Sequence, residues 1–210
     1  SAFGALLQQR GYLVLHGAAL DINGTGILIT GKAGAGKSTL AAALHEKGYQ
    51  VLTDDVCAVK LGENGIPLIV PGFPSLKLWK DAAEQMGRVV EGLIPVRKTM
   101  DKFRVDIDEQ FCRRTIPLQA VYVLGDSDHA DIDFSEIKGL EKLQVLIKNS
   151  YRYRYLKGQG MKGFHFQQCA SAANHISIFQ LQRKKELLAP QKVASFIESV
   201  ISESSASGCI

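Results

Sequence analysis

The residues with the most chemical content form one run, Gly31-Lys32-Ala33-Gly34-Ala35-Gly36-Lys37-Ser38, with Thr39 directly after it. A G-x-x-x-x-G-K-S pattern between a strand and a helix makes a phosphate-binding loop. Glycines at 31, 34 and 36 let the backbone take left-handed turns and bring successive N–H groups, and the helix N-terminus, onto an anion. In such a loop Lys32, Ala33 and Ala35 complete the amide cradle and Thr39 extends it into the helix. Lys37 reaches the β- and γ-phosphates, and the Ser38 hydroxyl is a ligand for magnesium, which prefers oxygen. ATP and magnesium are the cofactors this implies. A glycine-rich turn that merely links a strand to a helix is the competing reading, and the flanking elements argue against it.

Two further residue sets stand where such a loop would need them. Asp54-Asp55 follows the strand after the loop's helix, and in a βαβ unit that places it at the carboxyl edge of the sheet. A carboxylate there either accepts a proton from an attacking hydroxyl or binds magnesium, and adjacent carboxylates can divide those tasks. A solvated Asp-Asp turn explains the same pair. His16 ends the strand over residues 12–15, from which its imidazole can orient or protonate one of the aspartates. His45, beside a lysine on a helix, and His129, in an aspartate-rich loop, are weaker candidates, and His165 and His175 have no motif around them. Among the basic residues Arg97, Lys98, Lys102, Arg104, Arg113, Arg114, Arg152 and Arg154, most read as solvated. Lys102 and Arg104 alternate on one strand and so share a face, which makes them first choice to clamp a phosphate or carboxylate. Phe73 and Trp79 read as core residues rather than adenine stackers.

Hydrophobic patterning supplies the elements that position these groups. Residues 12–15, 18–22 and 26–30 read as strands, the last two joined by the hairpin signal Asn23-Gly24. A helix over 38–47 stops at Gly48, a left-handed cap. Strands follow at 50–53, 56–61 and 66–70, with a turn at 62–65. Then come a short amphipathic helix at 78–86, strands at 102–107 and 117–125, helices at 140–155 and 163–173, a strand at 176–181 and a helix at 190–201. Strands and helices interleave, so the class is α/β with a mixed sheet.

Composition bounds what such a chain does. Its 210 residues, nearly half of them apolar, suffice for one sizeable core. We expect one catalytic domain over residues 1–204 and a frayed, serine-rich tail at 205–210. The chain opens on Ser1 rather than Met, so it is read either as a piece of a longer protein or as beginning on an added residue. A net charge of +4 is too small for a nucleic-acid footprint. No apolar run approaches the roughly 20 residues that span a bilayer. Neither nucleic acid nor membrane is expected as a partner, and the compartment read is the cytoplasm. Cys57, Cys112, Cys169 and Cys209 lie far apart without a C-x-x-C pair, which argues for ordinary thiols and against zinc.

Taken in order, His16-Gly17-Ala18-Ala19-Leu20-Asp21, residues 29–38, Lys47-Gly48 and Leu52-Thr53-Asp54-Asp55 resemble the catalytic core of HPr kinase/phosphorylase. The resemblance covers residues 12 to about 60. It implies a P-loop fold akin to phosphoenolpyruvate carboxykinase, a mixed sheet with flanking helices, and a homo-oligomer. It also implies that His16 pairs with an aspartate, that Asp54 accepts the proton of a serine hydroxyl, and that Ser38, with Asp55 assisting, holds magnesium. Beyond residue 60 there is no counterpart of that family's Glu-x-Arg-Gly segment. Instead Val70-Pro71-Gly72-Phe73-Pro74, Leu76-Lys77-Leu78-Trp79, Lys102-Phe103-Arg104, residues 118–124 and Tyr151-Arg152-Tyr153-Arg154 look like the compact HPr-kinase-like proteins of lasso-peptide biosynthesis, which phosphorylate a precursor serine. The expectation is therefore an ATP- and magnesium-dependent serine kinase, with Lys37, Asp54 and His16 as catalytic residues and a peptide or small protein as substrate. Its rivals are an HPr-type kinase/phosphorylase, a nucleoside triphosphatase and a nucleotide-sensing module.

Overall fold

The computed structural model describes residues 2–85, 93–97, 100–129, 131–158, 160–184 and 189–206. Helix α1 (Ala2–Gln9) precedes β1 (Leu13–Leu15), β2 (Gly17–Ile22) and β3 (Thr25–Gly31); α2 (Lys37–Glu46) leads to β4 (Gln50–Thr53), β5 (Cys57–Leu61), β6 (Pro67–Val70) and β7 (Ser75–Trp79). Next are α3 (Lys80–Gln85), β8 (Ile94–Arg97), β9 (Met100–Asp106), β10 (Ile116–Asp126) and β11 (Asp133–Ile137). The remaining elements are α4 (Leu140–Lys148), α5 (Arg154–Gly158), α6 (Lys162–Ala173), β12 (Ser177–Arg183) and α7 (Pro190–Ala206).

The main sheet runs β1-β5-β6-β10-β3-β2-β4, with β12 also paired to β10 and β11 beyond it. Strand β2 is antiparallel to both β3 and β4, while β10 is parallel to both β3 and β12. Strands β3, β4, β10 and β12 therefore all end at one edge, where the loops of an open α/β sheet gather ligands. Alternation along β3 shows how the sheet is held. Ile27 and Ile29 face a core built with α2 and α7, whereas Leu28 faces a second core containing residues of α4 and α6. Side-chain period 2 fills both faces, and each fully buried Ile or Leu contributes about 1.5–3 kcal/mol.

The strands around the phosphate loop lie where patterning put them, and Asn23 (φ 54) and Gly24 (φ 89) form the expected positive-φ turn. Differences cluster further along. Residues 78–79 belong to β7 rather than to a helix, because Leu76 and Leu78 are buried on one side of a strand that pairs with β9; only Lys80–Gln85 is helical, and Met86 lies outside the described residues. The long helix expected over 140–155 breaks after Lys148. There Asn149 Nδ2 donates to Val145 O (2.9 Å), Ser150 Oγ donates to Leu146 O (2.8 Å), and Arg152 takes a left-handed φ of 52°. Such local side-chain bonds compete with helix continuation. The last helix continues to Ala206, through serines whose composition suggested fraying. Helix α1 and strands β8 and β11 were not foreseen.

Among the described residues no helix is long and apolar enough to cross a membrane. Cys57, Cys112 and Cys169 are buried free thiols; Cys209 lies outside the described residues. Phe73 and Trp79, expected in the core, are exposed: Phe73 rests against Phe3 with ring centroids 5.5 Å apart, and Lys102 Nζ sits 5.9 Å over the Trp79 ring.

Candidate functional site

The loop after β3 has the backbone its glycines predict. Gly31, Gly34 and Gly36 have φ of 137°, 84° and 86°, and Gly36 caps α2 in the left-handed conformation. Only open space lies within 4 Å of where a Cβ at Gly34 would stand, so an anion can approach that backbone closely. Lys32, Ala33 and Gly34 are exposed at the tip, Ala35 is buried, and Lys37, Ser38 and Thr39 are half-buried in the first turn of α2. Lys37 Nζ donates to the carbonyls of Gly31 and Lys32, both at 3.0 Å, which folds the ammonium over the loop. Burial, and the charge of Lys102 after it, lower its pKa, while Asp54 and Asp55 oppose that shift.

Strand β4 delivers the two aspartates to this loop. Ser38 Oγ donates to Asp54 Oδ1 at 3.1 Å, and Asp54 Oδ2 accepts from the Lys77 backbone N–H at 2.7 Å. Asp55 is turned by a left-handed φ of 77°, a conformation Asp tolerates better than most residues. That turn aims both its carbonyl and its carboxylate at one ring: His16 Nδ1 lies 2.9 Å from Asp55 O and 3.3 Å from Asp55 Oδ1. Lys77 Nζ holds the other oxygen, Oδ2, at 2.8 Å. His16 is placed by its own backbone, whose N–H donates to Asn149 O (2.8 Å) and whose carbonyl accepts from Thr30 Oγ1 (2.7 Å).

These partners push the two carboxyls in opposite directions. Desolvation raises Asp54 above the ordinary carboxylate range, with the Lys77 N–H and the charges of Lys102 and Lys77 opposing it. The His16 hydrogen bond, joined by Lys77, holds Asp55 well below that range despite its own partial burial. Asp54 is thus the carboxyl suited to carrying a proton, and Asp55 the one kept anionic. Of the two aspartates that His16 was expected to reach, the imidazole is on Asp55.

A magnesium ion at a phosphate loop takes one or two protein oxygens and completes its octahedron from phosphates and water. The Ser38 hydroxyl in the first turn of α2 fits as one such oxygen, while Asp55, the expected second, has its carboxylate oxygens on His16 and Lys77; no group of three or more His, Cys, Asp or Glu side chains suited to a metal occurs among the described residues.

Two participants were missed at the sequence level. Lys77 was assigned to no element, next to a helix expected from residue 78, so its reach to both aspartates was not expected; the alternation Leu76, Lys77, Leu78 is the signal that reveals it. Arg183, at the end of β12, is buried and donates through Nη2 to Ala35 O at 3.0 Å, buttressing the loop from below. Nothing local marks it. Lys102 and Arg104 face Trp79 and Lys77 across the β7–β9 ladder, so all four side chains share one face beside the aspartates. The other basic residues lie elsewhere: Arg113 pairs with Asp108 (2.6 Å), Arg114 with Asp21 (3.6 Å), and Arg152 and Arg154 sit over Tyr151 and Tyr155. Lys98 and the side chain of Arg97 lie outside the described residues. His165 is structural: buried, it meets Ser150 Oγ at 2.7 Å, and burial lowers its pKa.

Residues 9–67 match the family model described as HPr Serine kinase C-terminal domain. Over 49 residues the chain is 47% identical to an HPr kinase/phosphorylase of Chlorobaculum tepidum, a segment covering 23% of this chain and 14% of that protein. Over 62 residues it is 38% identical to one from a Geobacillus species, covering 30% and 19%. The matches thus span less than a fifth of these relatives' length. The structure titled Hpr(Ser) kinase/phosphatase from Coxiella burnetii superimposes with a TM-score of 0.52, covering 93% of this chain and 94% of that one at 15% identity, a likeness of fold alone.

Proposed function

From an HPr-kinase-like chain, similar in sequence across the loop and paired aspartates and in fold across nearly its length, we propose an ATP- and magnesium-dependent kinase. It transfers the γ-phosphoryl group to a serine hydroxyl of a peptide or small protein. The observation that carries the reading is the Asp54 carboxylate 3.1 Å from the Ser38 hydroxyl, opposite a lysine folded over the phosphate loop. A proton acceptor, a metal-binding hydroxyl and a phosphate cation then share one site.

ATP would supply the phosphoryl group, and magnesium, held by Ser38 with Asp55 assisting, would neutralise phosphate charge. The chain's own residues do the rest. Amides of residues 31–36, Lys32 and Ala33 among them, and the Lys37 ammonium hold the phosphates, with Thr39 at the flank of the cradle, and Ser38 would offer its hydroxyl to the metal. Asp54 takes the acceptor hydroxyl's proton as the serine oxygen bonds to phosphorus and the nucleoside diphosphate departs with the electron pair of the broken P–O bond. Asp55, kept anionic by His16 and Lys77, assists on the metal side. His16 is a positioning residue for that pair, and its effect on Asp54 passes through the backbone of residue 55. The rate gain comes from positioning and charge neutralisation. A lasso-peptide precursor is one candidate acceptor, on the resemblance of residues 70–79 and 102–104. The cytoplasm and a homo-oligomer belong to the same reading.

A triphosphatase would use the same carboxylate on water. Incubating the protein with magnesium ATP and serine peptides, with intact mass and free phosphate both read, separates the two. Phosphate addition to a peptide, lost when its serine becomes alanine, is the expected result. Equal phosphate release with and without peptide, and no mass gain, would sink the kinase reading.

A further inference from the structure

A three-stranded sheet, β7-β9-β8, lies beside the paired aspartates, tied to them by Lys77. Leu76, Leu78 and Val105 are buried on its inner side, so their strand neighbours Lys77, Trp79, Lys102 and Arg104 project from the other. Across the ladder Trp79 stands opposite Lys102 and Lys77 opposite Arg104, and Ile94 of β8 flanks Arg104 on its other side. Trp79 and Ile94 are 44% and 69% exposed although both are large and apolar. Lys77 is engaged by Asp55 (2.8 Å), and Lys102 rests over the Trp79 ring. Asp106, next on the same face, turns to the Asp108 N–H (3.2 Å). Neither Lys102 nor Arg104 therefore meets a carboxylate among the described residues.

We propose that this face is the docking platform for the acceptor, and that it selects an extended segment with Asp or Glu at alternate positions beside the serine. The proposal rests on the kinase reading above and adds to it the sequence class of the substrate. Residues i and i+2 of a strand lie about 6.6 Å apart on one face, and an extended peptide repeats that spacing. Two alternate carboxylates can thus meet Lys102 and Arg104 together, while Trp79 and Ile94 cover the apolar stems between them.

The platform adjoins the reacting groups. Lys77, the residue opposite Arg104, donates its backbone N–H to Asp54 Oδ2 at 2.7 Å, so a segment lying on the ladder has its serine beside the proton acceptor. Burial dominates the pKa of both Asp54 and Lys37, and after it the charge of Lys102 acts on each, which puts that ammonium within reach of both. Charge decides the class of acceptor. A basic segment meets like charges here, whereas an acidic one gains two ion pairs that offset its repulsion from a neighbouring triphosphate. Cations in this place that served the nucleotide instead would change its affinity when removed, and that measurement separates the two roles.

Trp79 is the chain's one tryptophan, so its fluorescence reads occupation of the face without any chemistry. Three peptides of equal length carry one serine with Asp, Asn or Lys at two alternate positions beside it. Each is given to the whole chain with magnesium ATP and followed by phosphorylation rate, and its twin with alanine for serine is titrated against the Trp79 signal. The Asp peptide should show a KM about fivefold or more below that of the Asn peptide, an advantage that shrinks as salt rises, and the Lys peptide should be weakest. Arg104→Glu should reverse the order of the Asp and Lys peptides and leave magnesium ATP affinity, read by calorimetry, unchanged. Arg104→Gln should remove the Asp preference without reversing it, and thermal melts check that both variants fold. Equal KM for the three peptides, or variants that lose ATP affinity while keeping the peptide order, would overturn the platform. Fluorescence that follows the acidic twin while no peptide gains phosphate would keep the platform and reject the kinase reading; phosphate transfer without charge preference would do the reverse.

Discussion

Two neighbouring carboxyls of the same type differ here because their partners differ. Asp54 sits in a desolvated position with a backbone N–H and a neutral hydroxyl on its oxygens, whereas Asp55 has an imidazole and an ammonium. Asp54→Asn should therefore cut turnover by about 10²-fold or more with nucleotide affinity kept within a few-fold, and should remove an acidic limb of the pH–rate profile that lies above the ordinary carboxylate pKa of about 4. Steady-state kinetics across pH on both asparagine variants checks this; a normal Asp54→Asn beside a crippled Asp55→Asn would reverse the assignment. Asp55 also makes a stability statement. Its folded pKa is depressed, so its contribution is fully present above the unfolded value of about 4 and is lost as pH falls toward the folded one. With a third of the side chain exposed, solvent screening limits that contribution to about 1 kcal/mol. Denaturant melts of parent and Asp55→Asn should differ by about that much at pH 7 and begin to converge only as pH falls below about 4. Lys37→Ala removes the cation over the loop, and the thermal shift given by magnesium ATP should vanish with it; a shift as large as the parent's would count against the whole site.

At the scale of elements, the loop is set by how β3 lies along β10. The pairing shifts register between Leu118 and Ala120, and there the backbone of Gly26 lies so close to Pro117 that a Cβ at 26 would collide with the proline carbonyl. Backbone cannot swing aside as a flexible side chain can. Gly26→Ala should cost about 2 kcal/mol or more and lower the melting temperature by about 4–8 °C, without touching a loop residue. Calorimetry that finds the variant as stable as the parent would show that the strands can slide apart at little cost. The β7–β9 ladder is the second decisive element: because residues 75–79 are extended, Lys77 turns to the aspartates and Leu76 and Leu78 turn to the core. A helix over the same residues would have scattered that arrangement.

At the scale of the molecule, the site lies between two cores, since β3 buries Ile27 and Ile29 in one and Leu28 in the other. A ligand bound to the loop between β3 and α2 thus stabilises the whole fold. Magnesium ATP at about a hundred times its dissociation constant should add about 2.7 kcal/mol and raise the melting temperature by about 5–10 °C in a single transition. A split melt, with only part of the signal shifted, would mean that the cores unfold separately.

The phosphate loop, its helix, the hairpin before it and the paired aspartates were legible in the amino-acid sequence because each is written in local chemistry: glycines where φ is positive, period-2 and period-3.6 burial, a cap at Gly48. What lay across the sheet was not. Which aspartate His16 touches depends on the left-handed turn at Asp55, and Lys77 and Arg183 reach the site from 22 and 148 residues away from their partners Asp55 and Ala35. The break at residues 149–150 also escaped periodicity, since it rests on side-chain bonds to the preceding turn. Local backbone preference is encoded residue by residue, whereas the carboxyl environments and the basic face beside them exist only once β4, β7 and β9 have been brought together at the loop.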